Sequence, residues 1–208
     1  MTSDPLASQS SGLAHPAAGG TTLAEVAVAA ATCTLCKLAP SRTQVVFGVG
    51  SADAGLMFVG EGPGEQEDLR GEPFVGRAGQ LLTQLIEGIG LTRAEVYIAN
   101  VVKCRPPGNR DPQPDEIEAC APWLARQLEL IRPRVIVTLG NFATKLLLQT
   151  KEGITKLRGT EFAFTRAGHT AVLIPTLHPS AVLRSGGRAL AESRADFVHV
   201  KRALSAGS

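Results

Sequence analysis

Four short apolar runs, spaced so that stretches of helical character fall between them, constrain this chain more than any other feature of its sequence. The runs are Leu56-Met57-Phe58-Val59, Val96-Tyr97-Ile98-Ala99, Val135-Ile136-Val137-Thr138-Leu139 and Leu173-Ile174-Pro175-Thr176. Amphipathic segments over 80–89, 114–131 and 141–148 follow the first three, and a last helix is expected over 188–204. Strands that alternate with helices build a parallel sheet covered on both faces. The expected fold is therefore α/β, a three-layer α/β/α sandwich around a central, mainly parallel four-stranded sheet. Pro175 places the end of its strand at an edge or a terminus, because proline has no N–H for the ladder.

A chain of 208 residues suits one domain with a substantial core. Residues 1–21 are rich in Ser, Ala, Gly and Pro without apolar periodicity, and are expected to be a disordered tail; residues 22–208 form the domain. From Thr22 onward good helix formers lead directly to Cys33 and Cys36. No apolar run approaches the length of a membrane span, and no Lys or Arg precedes Lys37, so neither a membrane segment nor a basic leader is expected. A soluble, cytoplasmic, bacterial protein acting as a monomer at the nucleoid is the expectation. The net charge of +2 is too small to imply a nucleic-acid partner without local clustering.

In such sheets ligands bind outside the carboxyl ends of the strands, near the point where strand order reverses. Four loops therefore matter: 60–76, 100–112, 140–141 and 176–187. The first contains Gly60-Glu61-Gly62-Pro63-Gly64-Glu65 and then Pro73-Phe74-Val75-Gly76-Arg77. Its glycines admit close backbone approach, but its carboxylates and the absence of a Gly-Lys-Ser/Thr triplet argue against a triphosphate cradle. The last contains Leu177-His178-Pro179-Ser180-Ala181-Val182-Leu183-Arg184. It carries a histidine fixed by proline, then an apolar tip with the character of a wedge for a duplex, with Arg184 to meet phosphate.

These segments, with Asn100-Val101-Val102-Lys103-Cys104-Arg105-Pro106-Pro107 and the downstream Ala78-Gly79-Gln80-Leu81-Leu82, resemble the motifs of the thermostable, iron–sulfur family 4 uracil-DNA glycosylases. The resemblance runs from about residue 23 to 202. It implies a monofunctional hydrolase of DNA repair that flips uracil out of single- or double-stranded DNA and cleaves its N-glycosidic bond, leaving an abasic site for base excision repair. Matched residue by residue, Phe74 stacks on the flipped base and Asn100 reads its edge, an amide that suits uracil's N3 and O4 and pairs badly with cytosine's amino group. His178 stabilises the departing uracil, and Glu61 stabilises the sugar cation or orients water. Gly62 and Gly64 line the base site, and Ser180, Leu183 and Arg184 contact DNA. The best-known relatives carry an aspartate where Gly62 stands and a tyrosine where Gly64 stands. The carboxylate is thus shifted back to Glu61, and Glu67 is the candidate for excluding thymine's methyl group.

Four cysteines are spaced C-x2-C, 67 residues, C-x15-C: Cys33, Cys36, Cys104 and Cys120. In a reducing compartment they suggest a metal site before disulfides, and the spacing suits zinc or a 4Fe-4S cluster equally. The resemblance favours the cluster, in a structural role that ties the N-terminal helix to the site wall. Lys103, Arg105, Arg110, Arg184 and Arg188 are expected to form a positive rim for phosphates. The competing function is a uracil-DNA binding protein of the same superfamily that does not turn over or that traps DNA covalently. Trapping relatives place a histidine after the second strand, where this chain has Arg105 to Pro112 and none.

Overall fold

The computed structural model describes Leu6 and residues 15–206. The elements run α1 (Leu23–Ala31), β1 (Val49–Gly50), β2 (Leu56–Gly60), α2 (Glu65–Arg70), α3 (Arg77–Gly88), β3 (Tyr97–Asn100) and α4 (Pro114–Ile131). They continue with β4 (Val135–Leu139), α5 (Asn141–Leu148), α6 (Ile154–Leu157), β5 (Phe162–Arg166), β6 (His169–Thr176), α7 (Pro179–Ser185) and α8 (Gly187–Ala206). One sheet is formed, in the order β1-β3-β2-β4-β6-β5. Its four inner strands are parallel, and they are the four apolar runs.

The sheet has six strands among the described residues, not the four expected. β1 is two residues long and β5 alternates in burial without an unbroken apolar run, and both pair antiparallel at the edges. Neither needs the continuous apolarity of a strand covered on both faces, so neither announces itself in the sequence. Pro175 sits where the expectation placed it. β5 pairs with β6 no further than Leu173, and beyond that point the Pro175 carbonyl accepts a hydrogen bond from the Gly159 N–H.

Successive strand residues point to opposite faces and build two cores. Met57 and Val59 pack with α1, α4 and α5 on one side. Leu56 and Phe58 pack with α3, α7 and α8 on the other. Helix starts follow local chemistry. In α1 the Thr22 hydroxyl accepts from the Glu25 N–H while Glu25 accepts from the Thr22 N–H, and α4 begins at Pro114 behind a similar Gln113–Glu116 pair.

Only part of the expected tail is described, and that part is packed. Residues 1–5 and 7–14 lie outside the described residues, but Pro16–Gly19 form a 3-10 turn, Leu6 and Ala17 are buried, and Arg126 of α4 donates to the Gly20 carbonyl at 2.6 and 3.0 Å. His15 sets its ring edge against Trp123 at 4.7 Å. Small residues without periodicity pack here because α4 supplies the surface, which composition cannot reveal. Among the described residues no helix is long and apolar enough to cross a membrane.

Candidate active site and cysteine pocket

Strand order reverses between β2 and β4, and a cleft of about 530 Å³ opens at the carboxyl ends of the inner strands. All four of the loops singled out in the sequence reach it. Glu61, Gly62, Gly64, Glu67, Phe74, Asn100, His178, Ser180 and Arg184 line it together.

Asn100 closes β3 opposite Gly60, the last residue of β2. Its side chain is 1% exposed, and neither its amide nitrogen nor its amide oxygen has a partner. An orphaned amide at this depth is costly unless a ligand completes it. Gly60 makes room for the arrangement, since a Cβ there would lie 2.4 Å from Asn100 Oδ1 and 2.6 Å from the Phe74 ring.

Phe74 is buried and adopts a left-handed backbone conformation, φ 55°, strained for a residue with a bulky side chain. Two grips hold it. Glu67 Oε1 accepts from the Val75 and Gly76 N–H groups at 3.0 and 3.1 Å, and Arg93 donates to the Pro73 carbonyl at 2.9 Å. The other Glu67 oxygen lies 2.8 Å from where a side chain on Gly64 would begin. Glu67 thus holds the Phe74 turn as well as lining the cleft.

His178 caps α7, and its Nδ1 accepts from the Ser180 N–H at 3.2 Å. In the neutral ring that assignment leaves the proton on Nε2. Burial, and then the nearby Arg184 cation, push its pKa down to about 4, so the ring is neutral at physiological pH. Its centroid stands 5.7 Å from that of Phe74. Behind it Asp196 accepts from the Thr176 hydroxyl at 2.6 Å and pairs with Arg158 at 2.7 Å, fixing the end of β6 against α8. Glu61 is half-buried, and burial followed by the charge of Asp111 raises its pKa to about 7.

The expected positive rim is only partly present. Lys103 is buried, its Nζ donating to the Asn100 carbonyl at 2.7 Å and to Gln127 Oε1 at 2.5 Å, with burial lowering its pKa to about 8. Arg110 lines the cleft but is committed to the buried Glu116 at 2.6 and 2.9 Å, and Arg188 pairs with Glu192. A positive residue in a loop reads as solvent-facing until the fold shows which wall the loop covers. Arg184 does line the cleft mouth, with Leu183 beside it 44% exposed. Sequence reasoning missed Phe142, Ile154 and Asp111, which also line the cleft. Phe142 follows the Gly140-Asn141 loop that the strand rule had marked; Ile154 carries no signal in the chain.

The four cysteines line one second pocket, with Arg42, Lys103 and Trp123. All are free thiols. Burial raises Cys36, and pushes Cys104 to about 11 and Cys120 to about 12. Among the described residues no three or more His, Cys, Asp or Glu side chains are already gathered closely enough to hold a metal ion. The donor set itself suits a thiophilic metal: four sulfurs on one void, with Arg42 Nη1 3.6 Å from Cys104 Sγ and the Lys103 N–H 3.2 Å from Cys120 Sγ to stabilise thiolate charge.

Fold and cleft together define a class, an α/β/α protein whose switch-point pocket presents an aromatic ring, an unpartnered amide, a neutral imidazole and a carboxylate. The family model described as "Uracil DNA glycosylase superfamily" matches residues 47–205. A type-4 uracil-DNA glycosylase of Saccharolobus solfataricus is 49% identical over 83% of this chain and 82% of its own length. That of Thermotoga maritima is 51% identical over 74% of this chain and 79% of its own, and a type-5 enzyme of Thermus thermophilus is 35% identical over 52% and 56%. The chain belongs to the uracil-DNA glycosylase superfamily, in its type-4 family.

Proposed function

We propose that the protein excises uracil from DNA. The observation that carries this reading is the Asn100 amide, buried, unpartnered and facing the cleft with both a donor and an acceptor to offer. Uracil's O4 and N3–H complete the nitrogen and the oxygen in one orientation of the amide, and cytosine's N3 and amino group need it turned over. Type-4 relatives named for uracil-DNA glycosylase activity support the same substrate.

Phe74 stacks on the flipped base. Glu67 fills the space beside Gly64 and meets the methyl group of thymine, while its second oxygen keeps the Phe74 turn in place. The bond between sugar C1′ and uracil N1 breaks with its electron pair leaving on uracil. His178 Nε2–H donates a hydrogen bond to that charge, and the neutral ring keeps its own proton. Glu61 as carboxylate stabilises the cationic sugar and takes one proton from the attacking water, whose oxygen bonds to C1′. The proton then returns to solvent, and uracil is released with a proton from solvent. Ser180 and Arg184 meet backbone phosphate, and Leu183 fills the space left in the duplex.

Cys33, Cys36, Cys104 and Cys120 hold a 4Fe-4S cluster, with zinc the alternative for the same thiolates. When bound, the group would supply a structural cross-link between the segment after α1, the loop after β3 and α4.

An oligonucleotide with one uracil, beside a thymine control and a His178→Ala variant, tests the reading through alkali-sensitive abasic sites. Uracil-only cleavage that drops by at least about 100-fold in the variant is expected. A folded protein that shifts the uracil strand without releasing uracil would instead identify a binding or trapping protein.

A further inference from the structure

Lys103 lies between the cleft and the cysteine pocket, and no part of the reaction above uses it. It is one of the largest fully buried side chains of the protein. Its two acceptors, the Asn100 carbonyl and Gln127 Oε1, are neutral, and its other close neighbour is the Phe47 ring, 5.8 Å from Nζ. No carboxylate pairs with it among the described residues. An ammonium ion buried among neutral partners is expensive. The groups able to offset its charge are the sulfurs of Cys104 and Cys120, the first its chain neighbour and the second the acceptor of its own N–H. Four thiolates on a metal would leave this pocket anionic, which is the circumstance that a buried cation suits.

The same side chain reaches the base site by a short mechanical path. Gln127 stands on α4, seven residues beyond Cys120, and is itself tied to the Phe47 carbonyl at 2.8 Å and the Tyr97 hydroxyl at 3.1 Å. From that fixed point Lys103 Nζ holds the Asn100 carbonyl. The Asn100 side chain makes no hydrogen bond of its own in the protein, so its direction is set by the backbone that Lys103 holds and by the buried packing beside Gly60. We infer that Lys103 is a positioning residue through which occupancy of the cysteine site sets the Asn100 amide, coupling metal retention to uracil binding. The inference rests on the uracil reading of the cleft.

Coupling between two binding sites is reciprocal: if the metal favours uracil binding, uracil must slow metal loss. The test uses full-length protein purified anaerobically with its metal. Release to a chromophoric chelator for iron or zinc is followed with and without saturating free uracil, whose binding is measured by calorimetry. Wild type is expected to release metal at least about fivefold more slowly with uracil. Lys103→Met should release it faster at the outset and show less than about twofold protection, and Lys103→Arg, which keeps the charge and a donor, should recover part of it. A merely structural lysine would alter melting temperature and basal release but leave the ratio with and without uracil unchanged; that ratio, equal in wild type and Lys103→Met, would overturn the coupling. Wild type decides the matter alone if the variants do not fold, since bound uracil without protection also overturns it. Protein that holds no metal removes the premise. Wild type that neither binds uracil nor cleaves uracil DNA sinks the proposed function and the coupling together, a result distinct from binding without protection.

Discussion

Two polar side chains are buried three residues apart, at the end of β3 and just beyond it, and the protein treats them oppositely. Asn100 faces the cleft with both amide atoms unpartnered, while Lys103 faces the cysteine pocket with two acceptors at hydrogen-bonding distance. The same contrast separates the two pockets. The cleft is lined by polar groups that the fold leaves unsatisfied or in a poised state, such as neutral His178 and the raised Glu61 carboxyl. At the cysteine pocket Lys103 is engaged with Gln127 and the Asn100 carbonyl, while the four thiols stay free for a metal. Unsatisfied burial marks where a ligand completes the structure, and satisfied burial marks the frame that holds it.

The largest expected effect comes from removing the orphaned amide. Asn100→Ala should lower kcat/KM on uracil DNA by at least about 100-fold, while stability changes by less than ~1 kcal/mol, because no hydrogen bond within the protein is lost. Steady-state kinetics beside a thermal melt check both halves, and a large loss of stability would erase the distinction between the pockets. Cys120→Ser should weigh on stability first, costing about 2–3 kcal/mol or more with lost metal, while the protein that remains folded at low temperature still cleaves, with kcat/KM lowered by about fivefold through the coupling. Metal analysis and chelator-dependent melting measure it.

The pH dependence sharpens the cleft side. Glu61 must be ionised to act, and its pKa is raised to about 7, so kcat/KM should fall about tenfold per unit of pH below that point. His178, lowered to about 4, stays neutral through the same range and adds no second limb there. Asp111→Asn should move the midpoint downward by less than about one unit, since burial is the larger cause of the shift and Asp111 the smaller. A pH–rate profile of both proteins decides it. The smallest effect belongs to the cleft's rim: Leu183→Ala should reduce excision from duplex DNA by about three- to tenfold and leave single-stranded substrate nearly unchanged.

Much of this was legible in the chain. The inner strands declared themselves by unbroken apolar runs, α4 and α5 by their periodicity and start signals, and the cleft loops by the strand-end rule. β1, β5 and the packed residues 15–20 did not, because a short edge strand or a turn against a helix takes its stability from the partner surface rather than from its own pattern. Lys103 and Arg110 were misplaced for a related reason. A cation in a loop motif reads as free at the surface, and here Gln127, 24 residues away, draws Lys103 inward, while Glu116, 6 residues away, engages Arg110 at the cleft.

What the sequence by itself determined is the inventory and order of the parts: four apolar strands, the cysteine spacing, and the chemical types Glu61, Phe74, Asn100 and His178 at strand ends. These follow from local rules of periodicity and chain connectivity. Only the tertiary structure decided that Asn100 stands without a partner, that Glu61 and His178 have displaced protonation, and that Lys103 turns away from solvent toward the Asn100 carbonyl and Gln127. Burial and electrostatic neighbourhood depend on distances through folded space, and residues far apart in the chain set them.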